Sequence, residues 1–183
     1  MKTMKHILLL LVFSILLSGC AAKPSKSVDA YMKEFKTNML KDIVSEEQME
    51  QDQETFQMMK EMISDFEYTI GKETINGNSA EVEVTIKTYA LGEAFEKALK
   101  EYIVQAMAVL TDDDNTQDIR ALMYEIWATK LTECKEQGKT YSETITLNLE
   151  KNDKEWTVLH DSDTTLINAV NGNMYNIMQM YQN

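Results

Sequence analysis

The stretch Asn76-Gly77-Asn78-Ser79-Ala80-Glu81-Val82-Glu83-Val84-Thr85-Ile86-Lys87-Thr88 decides the fold class. From Ala80 onward, small or β-branched residues alternate with Glu81, Glu83, Thr85 and Lys87. A period of two puts one set on a buried face and the other in water. Asn76-Gly77-Asn78 is a hairpin turn signal, because glycine reaches the positive φ that a tight turn demands. Before it, Phe66, Tyr68 and Ile70 alternate with Glu67 and Thr69. The stretch therefore reads as an antiparallel hairpin with one dry face.

The same pattern returns downstream. Tyr141, Ile145, Leu147 and Leu149 alternate with Ser142, Thr144, Thr146 and Asn148. Lys151-Asn152-Asp153-Lys154 turns the chain, and Trp156, Val158 and His160 continue as a short strand. Elsewhere the apolar period is helical. Ser27 is the expected N-cap of a first helix carrying Val28, Tyr31, Met32, Phe35, Met39 and Ile43. Ser45 and Gln48 have capping-box spacing and open a second, with Met49, Phe56, Met59, Ile63 and Phe66 on one stripe. Leu91, Phe95, Ala98, Leu99, Tyr102, Ile103, Ala106 and Leu110 form a third stripe. After an acidic loop from Thr111 to Gln117, Ile119 to Cys134 forms a fourth, stopped by Gly138. Ser162 or Asp163 caps a last helix through Leu166, Ile167 and Val170 and on past Gly172 to Met178. The order ααββααββα predicts an α+β fold. Two hairpins form an antiparallel sheet of about four strands, with helices mainly on one face.

The N-terminus reads differently. Lys2, Lys5 and His6 precede an apolar run, Ile7 to Leu17, broken only by Ser14. The run falls short of the ~20 residues that span a bilayer. A basic start, a short apolar run and small residues before a cut describe a secretory signal. Leu17-Ser18-Gly19-Cys20 resembles the lipobox of bacterial lipoproteins. That resemblance implies a diacylglyceryl group on the Cys20 sulfur and cleavage between Gly19 and Cys20. Leu17, Ser18 and Gly19 would be the signal-peptidase recognition residues. The chemistry suits a thiol, whose thiolate is alkylated, and each buried acyl CH₂ contributes about 0.8 kcal/mol to anchoring. The expected organisation is a cleaved signal at 1–19, a lipidated cysteine and tether at 20–26, and one α+β domain at 27–183. The domain would sit on the outer face of the cytoplasmic membrane, held there by lipid (diacylglyceryl or palmitate-type acyl chains).

The composition narrows the partners. Lysine and arginine total 18 against 30 acids, a formal charge of −12. Losing Lys2 and Lys5 with the signal deepens the charge by two. Such a surface repels nucleic acid and anionic lipid heads, so no nucleic-acid partner is expected and membrane contact falls to the acyl chains. Of the two cysteines, Cys20 is committed to lipid, which leaves Cys134 without a disulfide partner.

The tail carries a further resemblance. After the Lys/Asp turn come Glu155-Trp156-Thr157-Val158 and then Asp163-x-x-Leu166-x-Asn168-Ala169-Val170-x-Gly172. This is similar to small Gram-positive lipoproteins, many of them cystatin-like or nuclear-transport-factor-2-like. It implies a curved, cone-like sheet wrapped partly around helices, with a pocket. It brings no catalytic residues. The helical pair from Leu91 to Glu136 departs from the simplest form of that fold.

Each chemical constellation has a plainer reading. His160 is the one histidine beyond the signal, with Asp161 and Asp163 nearby. Adjacent strand residues face opposite ways, so a His160–Asp161 pair is not expected. Asp112-Asp113-Asp114 lacks the glycine and glutamate that a calcium loop requires, and its charges suit a helix start. Met58, Met59, Met62, Met174, Met178 and Met180 are spaced as helix-core residues rather than as a Cu(I) site. Cys134 shares a stripe with Trp127 and reads as a buried, inert thiol. No metal or cofactor is implied. Tyr68, Tyr141, Trp156 and His160 form the candidate ligand pocket. The expected function is non-catalytic binding of a small ligand or an envelope protein. Two alternatives stay open: a pocket enzyme using His160 with a carboxylate, and an accessory subunit docking through the Met-rich face from Met49 to Met62.

Overall fold

The computed structural model describes residues 23–42, 53–111 and 118–181. The lipobox-like stretch Leu17–Cys20, Ser45–Gln48 and Asp112–Asp114 lie outside these residues. Among the described residues six helices and four strands follow the expected order, with the last helix divided: α1 (Pro24–Asp42), α2 (Gln53–Ser64), β1 (Glu67–Asn76), β2 (Ser79–Thr88), α3 (Leu91–Thr111), α4 (Ile119–Gln137), β3 (Tyr141–Asn152), β4 (Glu155–Val158), α5 (Asp163–Val170) and α6 (Met174–Met180). A single 3₁₀ turn, His160–Ser162, precedes α5.

The four strands form one antiparallel sheet in the order β1-β2-β3-β4. The two hairpins join through β2 and β3, which pair from Ser79↔Glu150 to Thr88↔Tyr141. Gly77, with φ 63°, makes the first turn. The alternation of β2 holds at every position, with Ala80, Val82, Val84, Ile86 and Thr88 buried. Ile145, Leu147 and Leu149 of β3 and Trp156 and Val158 of β4 complete the dry face. Against it pack Val28 and Met32 of α1, Leu166, Ala169 and Val170 of α5, Leu91 of α3, and Leu131 of α4. Each such side chain stabilises the fold by about 1.5–3 kcal/mol on full burial. Glu81, Glu83, Thr144 and Thr146 remain in water on the other face.

Four details differ from the sequence reading. Helix α1 begins at Pro24, ahead of the expected Ser27 cap. Proline suits a first helical position, where its missing N–H is not needed and its φ is already helical. Strand β1 skips register between Ile70 and Glu73, so the simple alternation ends at Ile70. One extra residue reverses which side chains face the helices. Glu73 thereby faces inward beside Val82, and its Oε2 accepts the Ser25 backbone N–H at 3.1 Å.

The third difference concerns the last helix, which is two. Gly172 and Asn173 have φ of 60° and 67° and break it between Val170 and Met174. The break is held from both sides. Gly92 donates its N–H to the Gly172 carbonyl at 3.0 Å, and Asn168 reaches Asn173 through Nδ2 at 3.1 Å. Fourth, the α3 stripe is only half buried. Leu91 and Ala94 join the main core, and Ala98 forms a small second cluster with Leu122 and Ile126 of α4. Phe95 meets Trp127 edge-on there, centroids 5.9 Å apart. Further along, Ile103 and Leu110 are exposed rather than buried, together with Val104 and Met107. That end of α3 has left the sheet layer, and α4 covers one side of it.

Candidate functional site

Helix α1 sets Val28 and Met32 fully into the core. Tyr31 and Phe35 sit one turn apart on the flank of that stripe, half-buried, their ring centroids 6.2 Å apart. Strand β4 is short and lies at the sheet edge, and it presents Trp156 and Val158 toward α1. The 3₁₀ turn and the start of α5 then bring His160 and Asp163 to the same place. Between these elements lies an open cleft of about 680 Å³. Tyr31, Phe35, Trp156, Val158 and Ile167 make its apolar lining, and Ser27, Glu34, Asn38, Thr157, His160 and Asp163 supply its polar groups. Its size falls within the range of small-molecule sites, about 300–1,000 Å³.

Two of the polar groups meet at Asp163, while Asn38 Nδ2 donates to Glu34 Oε1 at 3.5 Å. The Tyr31 hydroxyl donates to Asp163 Oδ1 at 2.7 Å, and His160 Nδ1 lies 2.8 Å from Oδ2. Burial, reinforced by the Asp163 carboxylate, pushes the Tyr31 hydroxyl well above the usual phenol range. The expected strand position of His160 is corrected here. Strand β4 stops at Val158, Leu159 donates to the Asn148 carbonyl at 2.8 Å, and the chain curls into the 3₁₀ turn. Within that turn the i,i+3 partner of His160 is Asp163, whereas Asp161 accepts from Asn148 at 3.1 Å. The His160 side chain is 84 % exposed, at the mouth of the cleft.

Of the four aromatic and histidine residues singled out from the sequence, the cleft gathers Trp156 and His160. Tyr68 is on β1 at the opposite edge of the sheet, where its hydroxyl donates to Asp29 Oδ1 at 2.9 Å. Burial, then that bond, push the Tyr68 hydroxyl up to about 12. Tyr141 pairs with Thr88 at the far end of β3, its hydroxyl bonded to Glu143. Neither lines the cleft. The residues that sequence reasoning misses are Tyr31, Phe35 and Glu34; it sets Asp163 near His160 without making it the partner. No local signal sets Tyr31 and Phe35 apart: with Val28 and Met32 they recur at i, i+3, i+4 and i+7, the ordinary apolar stripe of a surface helix.

The other candidate residues resolve plainly. Cys134 is a buried free thiol, and its burial raises its pKa. Met62 is buried, and Met58 and Met59 pack on the core, so the described part of the Met-rich face is not a free surface. Among the described residues no cluster of three histidine, cysteine or acidic side chains could hold a metal ion. No described helix is long and apolar enough to cross a membrane.

No family model matches the chain. No curated protein matches it either. Among solved structures, it is similar to YcdA of Bacillus subtilis, provisionally described as a lipoprotein, with a TM-score of 0.40 and 15 % identity. The similarity covers 77 % of this chain but 46 % of that one, so the chain spans about half the length of this neighbour, and a likeness this weak carries no argument about the site.

Proposed function

We propose that the protein is a lipid-anchored, extracytoplasmic domain that binds a small ligand, or a segment of an envelope protein, in the cleft between α1 and β4, without catalysing a reaction on it. The observation that carries this reading is the position of the cleft. It opens at Ser27, in the first turns of the helix that follows the lipobox cysteine. With residues 1–19 removed and Cys20 acylated, residues 21–23 are all that separate the anchor from Pro24. Those steps span at most about 14 Å. The cleft mouth would then lie close to the outer leaflet of the cytoplasmic membrane. The packing of the sheet over α1 is compatible with a cystatin-like domain to which the α3–α4 hairpin has been added.

Two measurements test it. Metabolic labelling with a fatty acid should mark the protein, and Cys20→Ala should abolish the label and release the protein from the membrane fraction. An unlabelled wild-type protein would remove the anchor. The mature protein purified from its host should carry a molecule that Trp156→Ala loses; an unchanged complement of bound molecules in that variant would remove the cleft.

The His160–Asp163 contact favours one second reading, a pocket enzyme with His160 as its acid–base group. It requires a pH-dependent activity that disappears in His160→Ala. Activity that persists in that variant would end it.

A further inference from the structure

We propose that the α1–β4 cleft selects a small organic cation, an ammonium group carried on a compact apolar body. The inference rests on the binding role proposed for this cleft and names the class of its ligand.

Three aromatic rings, Tyr31, Phe35 and Trp156, line the cleft together with two carboxylates, Glu34 and Asp163, and its lining contains no lysine or arginine. Aromatic faces attract cations through the ring quadrupole, and more strongly once water is excluded. A carboxylate at the rim adds Coulomb attraction, reduced by the water that reaches an open cleft. An anion would meet both carboxylates, and a neutral apolar molecule would gain nothing from them.

The carboxylate at the mouth is held in place. Tyr31 and His160 fix the two oxygens of Asp163 at 2.7 and 2.8 Å. An ionised carboxyl has about four lone-pair sites, so two contacts leave room for a donor from a ligand. The surrounding chain already uses the same chemistry. The Lys151 ammonium lies 5.6 Å from the Trp156 ring centroid, and that of Lys36 lies 4.9 Å from Phe66, whose ring touches Phe35. Of these two pairs only Lys151–Trp156 involves a ring of the cleft, since Phe66 is fully buried outside its lining, and a ligand cation there would repeat that one pairing.

The test uses the full lipidated protein in detergent, carrying Trp127→Phe so that Trp156 is the remaining tryptophan reporter. The probes are choline and its uncharged carbon isostere, dimethylbutanol. Choline should change Trp156 emission saturably, and the isostere should bind at least about tenfold more weakly, since the ring and carboxylate contacts respond to charge. Glu34→Gln, at an exposed helical position, should weaken choline several-fold and leave the isostere unaffected. Asp163→Asn should do the same. Equal affinity for choline and the isostere would overturn the cation class while leaving the cleft as a binding site. A host-derived ligand in the cleft that is neutral or anionic would overturn it in the same way. If neither probe alters Trp156 and nothing co-purifies in the cleft, the cation class and the binding role fall together.

Discussion

The Glu73 carboxylate on β1 accepts the backbone N–H of Ser25 in the first turn of α1, across 48 residues of sequence and 3.1 Å of space. A helix start has backbone donors without partners and carries partial positive charge, and an acid there satisfies both conditions. Here the acid comes from a strand, and it comes because the irregularity after Ile70 rotates Glu73 inward. One contact thus ties the helix that bears the cleft to the far edge of the sheet.

Replacing Glu73 by Ala should therefore cost about 1 kcal/mol, the usual value of a lost N-terminal cap. Urea denaturation reads the loss as a lower midpoint with an unchanged slope. A midpoint equal to wild type would mean that water serves the Ser25 N–H equally well.

Gly172 is a second point of contact that tolerates no side chain. A Cβ there would lie 2.1 Å from the Tyr89 carbonyl oxygen, and its φ of 60° already disfavours other residues. Gly172→Ala should destabilise by roughly 2–4 kcal/mol, through backbone displacement added to left-handed strain. Gly77→Ala is the control. Gly77 has a similar φ of 63° with nothing within 4 Å, and should lose only the conformational part, about 1 kcal/mol. Equal losses would show that the close approach at Gly172 relaxes freely.

The acid limb of stability should follow three carboxylates. Hydrogen bonds from Lys33 and then Tyr68 hold Asp29 below its ordinary value. Burial pushes Asp65 up, but bonds from Lys139 and Tyr89 outweigh it and the net shift is downward. Lys139 lowers Glu67. A depressed folded-state pKa contributes stability above the unfolded value and loses it as pH falls through the folded one. Stability should thus be constant near neutrality and fall below about pH 4. Lys139, whose ammonium lies 3.1 Å from Asp65 and 2.7 Å from Glu67, is the common partner of these two, while Asp29 depends on Lys33 and Tyr68. Lys139→Met should remove the Asp65 and Glu67 share of this limb and leave that of Asp29; an unaltered pH profile in that variant would contradict the assignment.

At high pH the sign reverses. Tyr68, raised to about 12, contributes stability below its ordinary value near 10 and loses it between the two. Tyr68→Phe should remove that portion of the alkaline loss, as read by urea midpoints between pH 9 and 12.

The Cys134 thiol, buried and raised in pKa, should react with a maleimide only as fast as the protein opens. Rapid labelling of the folded protein, at the rate of a free thiol, would show that the α3–α4 hairpin separates from the core.

The sequence alone determined the class of the fold. Val82, Val84 and Ile86, set against Glu81, Glu83 and Thr85, require one dry sheet face, because burying those acids would cost more than the packing returns. Local patterns also marked both hairpin turns and the stop at Gly138, since Gly77, Asp153 and Gly138 each take a positive φ that glycine and aspartate tolerate better than most residues. The cleft was legible in part: Trp156 and His160 stood out by residue type. Their partners did not, because Tyr31 and Phe35 share the apolar period of Val28 and Met32, and periodicity does not separate a buried flank from one that borders a cleft. The tertiary structure alone decided that Asp163 lies between Tyr31 and His160, that an extra residue in β1 turns Glu73 toward Ser25, and that Gly92 meets Gly172. Each of these joins groups distant in sequence or placed by a turn, and such contacts depend on how whole elements dock rather than on any preference written into a neighbouring residue.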